Sequence, residues 1–269
     1  VYCKVSAIGR GLFGLTQTVT LAPSSGGSVA IFSTDLIGNQ GYNETGTAQG
    51  EVADLDYTND FGGTSSAAPA VSGALALMLE ANPDLNWRDV KEILLRTSTQ
   101  LLPVDPGWIS RDGGDSRLPS IRHHQSFGGG QIDVQAAVTL AETWTSLGPM
   151  IQDSRTSNAA ATIPDNNAKG ISIVFDFSTT NPMRVEHAKL NLNVFHSYRG
   201  DLEIKLTSPS GTVSTLATKE SEDDGSNYYD WNFSSVRHWG ESAKGKWILT
   251  IKDLDPLTTG TFDSARLTL

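Results

Sequence analysis

Apolar residues along this chain recur with two different periods, and the change from one to the other divides it into two parts. From Ser65 to Glu80 the residues Ala68, Val71, Leu75, Met78 and Leu79 fall at helical spacing, and Asn82-Pro83-Asp84 follows as a stop. This predicts a buried helix that starts at or near Ser65. Asn86 stands as an N-cap with Asp89 three residues on, and Val90, Ile93, Leu94 and Thr97 share one face of a second, amphipathic helix. In FGGGQIDVQAAVTLAETW a glycine turn and a capping Asp133 open a third short helix that runs to about Trp144. Before Ser65 the short apolar runs VYCKVSAIG, TQTVTLAP and SVAIFST read as strands, and GYNETGTAQGEVADLDYTND reads as a polar surface loop. From Ile171 the period is two: Ile171, Ile173, Phe175 and Phe177, then Leu202, Ile204 and Leu206, then Trp247, Leu249 and Ile251. Turn signals at Pro182, SPSG, DDGS, AKG and LDPLTTG punctuate these runs, which predicts an antiparallel β-sandwich. The expected organisation is a mixed α/β domain over 1–150, a linker over 151–164 and an all-β domain over 165–269.

Composition agrees with two cores, since 269 residues exceed the usual single-domain length and 26 Gly with 11 Pro favour many turns. A formal charge of -10 repels nucleic-acid phosphates and anionic lipid, so neither is an expected partner. Cys3 is the single cysteine, which excludes an internal disulfide framework and a cysteine metal cluster. No apolar run reaches the roughly 18 to 20 residues that span a bilayer, and the N-terminus lacks the layout of a signal peptide. The chain opens in an expected strand without Met or cap and stops in another at ARLTL, so truncation at both ends is expected.

The sharpest chemical signal is FGGTSSAAP, Phe61 to Pro69. Glycines admit close backbone approach, a hydroxyl follows a tight turn, and a small-residue helix begins at once. A serine there feels the positive end of the helix dipole, which favours negative charge developing in a transition state. Taken alone, an ordinary turn entering a helix also explains the string.

GTSSAAP resembles the subtilisin nucleophile motif, in which Gly63 and Thr64 precede the serine and Pro69 closes the pattern, with Ser65, not Ser66, in the nucleophile's place. The following ALALMLEANPDLNWRDVKEILLRTS, with VDPGW, FGGGQIDVQAAVTLAETW and the upstream IFSTDL, is similar to the kexin and furin branch, the proprotein convertases. HSYRGDLEIKLTSPSGTVSTL, YYDWNFSSVRHWGE and GKWILTIKD resemble the P domain that follows the protease domain in that family. The resemblance implies the C-terminal portion of an α/β subtilisin-like catalytic domain followed by a jelly-roll P domain. It further implies a serine endopeptidase acting on proteins or peptides, a secreted or cell-surface location, and calcium as a family trait. A subtilisin-type mechanism needs a histidine base, an aspartate that orients it and an oxyanion-hole donor. In the family all three precede the serine. The five histidines here, His123, His124, His187, His196 and His238, all follow Ser65, so the base and its aspartate are expected upstream of Val1. The oxyanion asparagine is expected there too, and Asn39, Asn43 and Asn59 are given no catalytic role.

Several features read as bland. His123 and His124 are expected to be a solvated loop pair in RLPSIRHHQSF. Arg199-Gly200-Asp201 is expected to open a strand rather than to act as an adhesion ligand. His196, Trp231, Trp239 and Trp247 are read as packing. Glu220, Glu222, Asp223 and Asp224 are read as a solvated acidic loop, with calcium as the alternative. A non-catalytic binding or adhesion module derived from a protease is the second hypothesis, separated from the first by whether Asp, His and Asn precede this sequence in subtilisin order.

Overall fold

The structure is a computed structural model and describes residues 31–49, 51–114 and 116–269. The expected strands VYCKVSAIG and TQTVTLAP, and Cys3, lie outside the described residues. Two compact units are present: the first holds the described residues up to Ser110 together with Arg117–Gly148, the second Arg111–Ser116 with Pro149–Leu269.

In the first unit β1 (Ile31–Thr34) pairs antiparallel with β2 (Tyr57–Phe61), and three helices follow: α1 (Gly63–Ala81), α2 (Trp87–Thr97) and α3 (Val134–Glu142). Two short strands, β3 (Ile109–Arg111) and β4 (Ile121–His123), form a second pair between α2 and α3. The core joins Met78 of α1, Val90, Ile93 and Leu94 of α2, and Ala137 and Ala141 of α3. The two alanines leave no side chain between helix backbones, and Asn82 Nδ2 donates to the Ala141 carbonyl at 2.8 Å, tying the end of α1 to the end of α3.

The start of α2 follows directly from its local sequence. The Asn86 side chain accepts from the Arg88 and Asp89 N–H groups, and Asp89 Oδ2 accepts from the Asn86 N–H, a reciprocal capping box. Burial on α2 extends beyond the expected apolar face, since Asp89, Lys91, Glu92 and Arg96 are buried as well. Arg96 and Glu92 neutralise each other one turn apart, Nη2 to Oε1 at 2.6 Å, which lets both charges leave water.

The second unit is two antiparallel sheets around one apolar core. The four-stranded sheet runs β10 (Val213–Ala217), β9 (Leu202–Thr207), β12 (Lys246–Asp253), β7 (Ile171–Asp176). The other runs β11 (Tyr228–Ser235), β8 (Ala188–Phe195), β13 (Gly260–Thr268), β5 (Ser154–Ser157), and β6 (Ala161–Ile163) also pairs with β13. Every residue of the expected alternation from Ile173 onward is buried: Phe175, Phe177, Leu202, Ile204, Leu206, Trp247, Leu249 and Ile251 meet Leu190, Leu192, Val194, Phe262 and Leu267 of the facing sheet. Each such side chain stabilises by roughly 1.5–3 kcal/mol. Trp247, fully buried, keeps its indole N–H satisfied on the Ala243 carbonyl at 2.9 Å.

One expected boundary is corrected. The segment 151–164 is not a linker, because Ser154 to Ser157 pair with Ala265 to Thr268, and Ala161 to Ile163 with Gly260 to Phe262. Ile163 is fully buried in the core, so this stretch belongs to the sheet.

Candidate active site

Ser65 is delivered by a strand, a one-residue turn and a helix: β2 ends at Phe61, Gly62 is the N-cap in extended conformation, and α1 begins at Gly63. The helix therefore starts two residues before the expected position, and Ser65 is its third residue. No side chain caps Gly62, so the first N–H groups of α1 keep their donor character at the end where the dipole is positive. The Ser65 side chain is exposed. Ala67, Ala74 and Met78 turn into the unit, while Ala68, Pro69 and Ala70 face outward. Pro69 lies inside α1, four residues after Ser65. It has no N–H to give the Ser65 carbonyl, so the backbone at Ser65 lacks its ordinary i→i−4 partner.

The loop between β1 and β2 is more ordered than a polar surface loop. Asn43 is fully buried, and its Nδ2 donates to the carbonyls of Val52, Asp54 and Tyr57 at 2.9, 3.1 and 2.8 Å, while its Oδ1 accepts from Gly46 N–H at 2.8 Å. Asp35 closes the same loop. Its carboxyl sits below the ordinary range because the Asn43 N–H, and less strongly those of Leu36 and Tyr42, donate to it. Asn43 thus acts as a loop hub beside β2.

His123 and His124 are buried, which corrects their expected solvated state. His124 lies against Phe127, centroids 4.5 Å apart, and against Trp108 at 5.2 Å. Its Nδ1 accepts from the Ser126 N–H at 3.0 Å, so Nε2 carries the proton toward Asp105 Oδ1 at 3.2 Å. Asp105 is held below the usual carboxylate range by the Gly107 N–H first and by His124 second. With both ring nitrogens engaged, His124 has a structural assignment.

In the second unit Arg199-Gly200-Asp201 forms a 3-10 turn that leads into β9. Arg199 Nε donates to Asp223 Oδ2 at 2.9 Å, so Asp223 is paired rather than part of a freely solvated acidic run. A Cβ on Gly200 would run into the carbonyl oxygens of Asp223 and Glu220, so only glycine fits. The guanidinium of Arg199 is committed within the fold, which removes the adhesion-ligand reading.

Two buried polar clusters were read only as packing or were not singled out. In one, Glu241 accepts from Arg111 Nη2, and His238 Nδ1 lies 3.6 Å from Glu241 Oε2, an ion-pair distance. Burial alone would raise the Glu241 carboxyl. Bonds from His238, Ser208 and Thr212 and the Arg111 charge outweigh it and bring the value down to about 2. In the other, His196 follows β8, Asp201 precedes β9, and Asp253 ends β12. His196 Nε2 lies 3.2 Å from Asp253 Oδ2, both side chains fully buried, and the ligand-type atoms of all three residues fall within 4.8 Å of one another. The single hint in sequence is the spacing of His196 and Asp201 around the turn. The partner Asp253 is distant in sequence.

Residues 16–128 match the family model described as the subtilase family, and residues 185–269 match that of the proprotein convertase P-domain. The chain is similar to "PC3-like endoprotease variant B" of Hydra vulgaris, 36% identical over 205 residues, covering 73% of this chain and 28% of that protein. It is 32% identical over 228 residues to "Protease KEX1" of Kluyveromyces lactis, covering 81% and 29%, and 32% identical over 222 residues to "Proprotein convertase subtilisin/kexin type 7" of Mus musculus, covering 77% and 27%. The chain spans less than a third of the length of these curated relatives. Among solved structures, a serine protease of Aeromonas sobria superposes with a TM-score of 0.73 at 25% identity, covering 90% of this chain and 51% of that one.

Proposed function

Because the chain belongs to the subtilisin-like proprotein convertase family, with a subtilase segment followed by a P domain, we propose that the whole protein is a serine endopeptidase and that Ser65 is its nucleophile. The observation that carries this reading is the exposed Ser65 hydroxyl on the first turn of α1, one turn beyond a strand end, in the GTSSAAP context. In the proposed step Ser65 Oγ attacks a peptide carbonyl while its proton passes to a histidine base. The amine leaves with that proton, and water then releases the acyl group by the same route in reverse. Gly63, Thr64 and Pro69 shape the turn and the helix start.

The base, its aspartate and the oxyanion asparagine are assigned to sequence outside these 269 residues, since every histidine here follows Ser65 and His124 is already committed. Residues 1–150 are read as the C-terminal portion of the catalytic domain and the two-sheet unit as a jelly-roll P domain. Substrates are proteins or peptides, and the location is secreted or cell-surface. Among the described residues no helix is long and apolar enough to cross a membrane. Calcium, a family trait, takes six to eight oxygens. The cluster of three metal-ligating side chains found among the described residues includes an imidazole, and Asp223 is taken up by Arg199, so these side chains do not form an oxygen-rich cage and no step is assigned to calcium. No observation favours the adhesion-module reading.

The test is covalent labelling of the full-length protein with a fluorophosphonate. Labelling lost in Ser65→Ala and kept in Ser66→Ala is the expected result. Labelling that survives Ser65→Ala and disappears with Ser66→Ala would overturn the assignment.

A further inference from the structure

The hydrogen-bonding geometry of His196 needs a cation beside it. Its Nδ1 lies 2.6 Å from the Tyr198 carbonyl oxygen and 3.1 Å from the Tyr198 N–H. The shorter contact is acceptable only if Nδ1 carries a proton, since two lone pairs at that distance repel. A neutral ring protonated on Nδ1 points the lone pair of Nε2 at Asp253 Oδ2, 3.2 Å away, in a place where neither side chain meets solvent. Two acceptors facing each other in a dry site cost several kcal/mol unless a positive charge sits between them.

That charge is either a proton, which makes an imidazolium, or a metal. Three observations favour the metal. A charge-assisted N–H to carboxylate bond is normally about 2.7–2.9 Å, whereas the edge of a tetrahedron built on zinc bonds of about 2.0 Å is about 3.3 Å, close to the separation found here. A metal-ligating histidine characteristically donates its second nitrogen to a backbone carbonyl, which is what Nδ1 does with Tyr198. A third ligand converges: Asp253 of β12 is in register with Leu202 of β9, so the preceding Asp201 reaches the same spot. The Leu254 N–H bonds the Asp201 carbonyl at 3.0 Å and fixes this juxtaposition. A Cβ on Gly260 would stand 2.8 Å from His196 Cδ2, so glycine at the start of β13 makes room for the ring.

We propose that His196 Nε2, Asp201 and Asp253 Oδ2 form a binding site for one divalent cation of the zinc type, with the hydroxyl of Thr258, 3.4 Å from Nε2, or a water at the fourth position. One nitrogen and a few oxygens suit zinc and fall short of the oxygen shell that calcium takes. The site clasps the place where the chain passes from β8 in one sheet to β9 in the other, so its role is to pin the two sheets together. It does not depend on the proteolytic reading.

The experiment titrates zinc alone, and calcium alone, into the chelator-stripped whole chain, followed by calorimetry and thermal unfolding. One zinc per chain with a raised Tm, and no comparable effect of calcium, is expected. Asp253→Asn and His196→Gln should abolish the binding. Asp201→Asn, at a half-buried position outside the His196–Asp253 pair, should fold with an unchanged metal-free Tm yet bind zinc at least about 10-fold more weakly, the low end of what losing even an outer-shell partner costs. Absence of zinc uptake, preference for calcium, affinity unchanged in Asp201→Asn, or a His196 ring that nuclear magnetic resonance shows as imidazolium in excess zinc would each overturn the proposal.

Discussion

Replacing Asp89 should loosen the helical unit by more than a loss at any surface carboxylate. The carboxylate is fully buried and accepts four bonds: on Oδ1 from Trp144 Nε1 at 3.0 Å and Leu147 N–H at 2.8 Å, on Oδ2 from Ser146 Oγ at 2.6 Å and Asn86 N–H at 2.9 Å. It thereby caps α2 and fastens the segment after α3 to it. In Asp89→Asn one oxygen survives, and the Ser146 hydroxyl can turn to accept from the new amide, but the Asn86 N–H faces another donor. Each bond to a charged group is worth roughly 1.5–3 kcal/mol and such terms are not additive, so a loss of about 2–4 kcal/mol is expected. For Asp89→Ala, which strands all four donors, about 3–5 kcal/mol is expected. The assay is urea unfolding followed by tryptophan fluorescence, with amide exchange at Leu147 as the local readout. The pH dependence carries a sign. Burial raises the Asp89 carboxyl, but the Leu147 N–H, Ser146, the Asn86 N–H and Trp144 together hold it below its ordinary value. Its contribution is therefore fully present above the unfolded value near 4 and is lost as pH falls through the folded one. The gap between wild type and Asp89→Asn should be constant from neutral pH down to about 5 and close below about 4. A gap smaller than about 0.5 kcal/mol at pH 7, or one that widens on acidification, would refute the reasoning.

Two further outcomes follow from the second unit. Glu241, with its carboxyl brought down to about 2, should supply stability that persists through pH 5 and disappears as the pH approaches 2, so Glu241→Gln should flatten the acid limb of a Tm-against-pH curve; an unaltered limb would count against the Arg111–Glu241–His238 cluster as its source. Gly200→Ala should destabilise by about 1–3 kcal/mol through the clash with the Asp223 and Glu220 carbonyls, read as a lowered Tm, and a neutral result would mean that the loop yields freely.

What the sequence made legible depended on how far apart the interacting residues lie. The capping box at Asn86 is contained in four residues, and the period-two burial of β7, β9 and β12 is contained in each strand, so both were readable in advance. The motif around Ser65 was readable for the same reason, because a strand end, a glycine turn and a helix start are consecutive. Asp89 was seen as a helix residue only, since its other partners come 55 to 58 residues later. Strands β5 and β6 were missed because SRTS and ATI carry little apolar pattern, and their place is fixed by pairing with β13 at the far end of the chain. His124 looked solvated in a polar string, yet Trp108 and Phe127, which bury it, stand in other segments. The same logic explains why the His196 cluster was hidden while the serine motif was not. Asp253 meets Asp201 only through the register of β12 on β9, and that register is set by the buried Leu249, Ile251, Leu206 and Ile204, none of which carries any chemistry. A one-residue slip would turn Asp253 to the other face and leave His196 without it. A polar site built across strands is thus specified by the apolar pattern around it, and a change of register would be felt there before it was felt at Ser65, whose geometry is local.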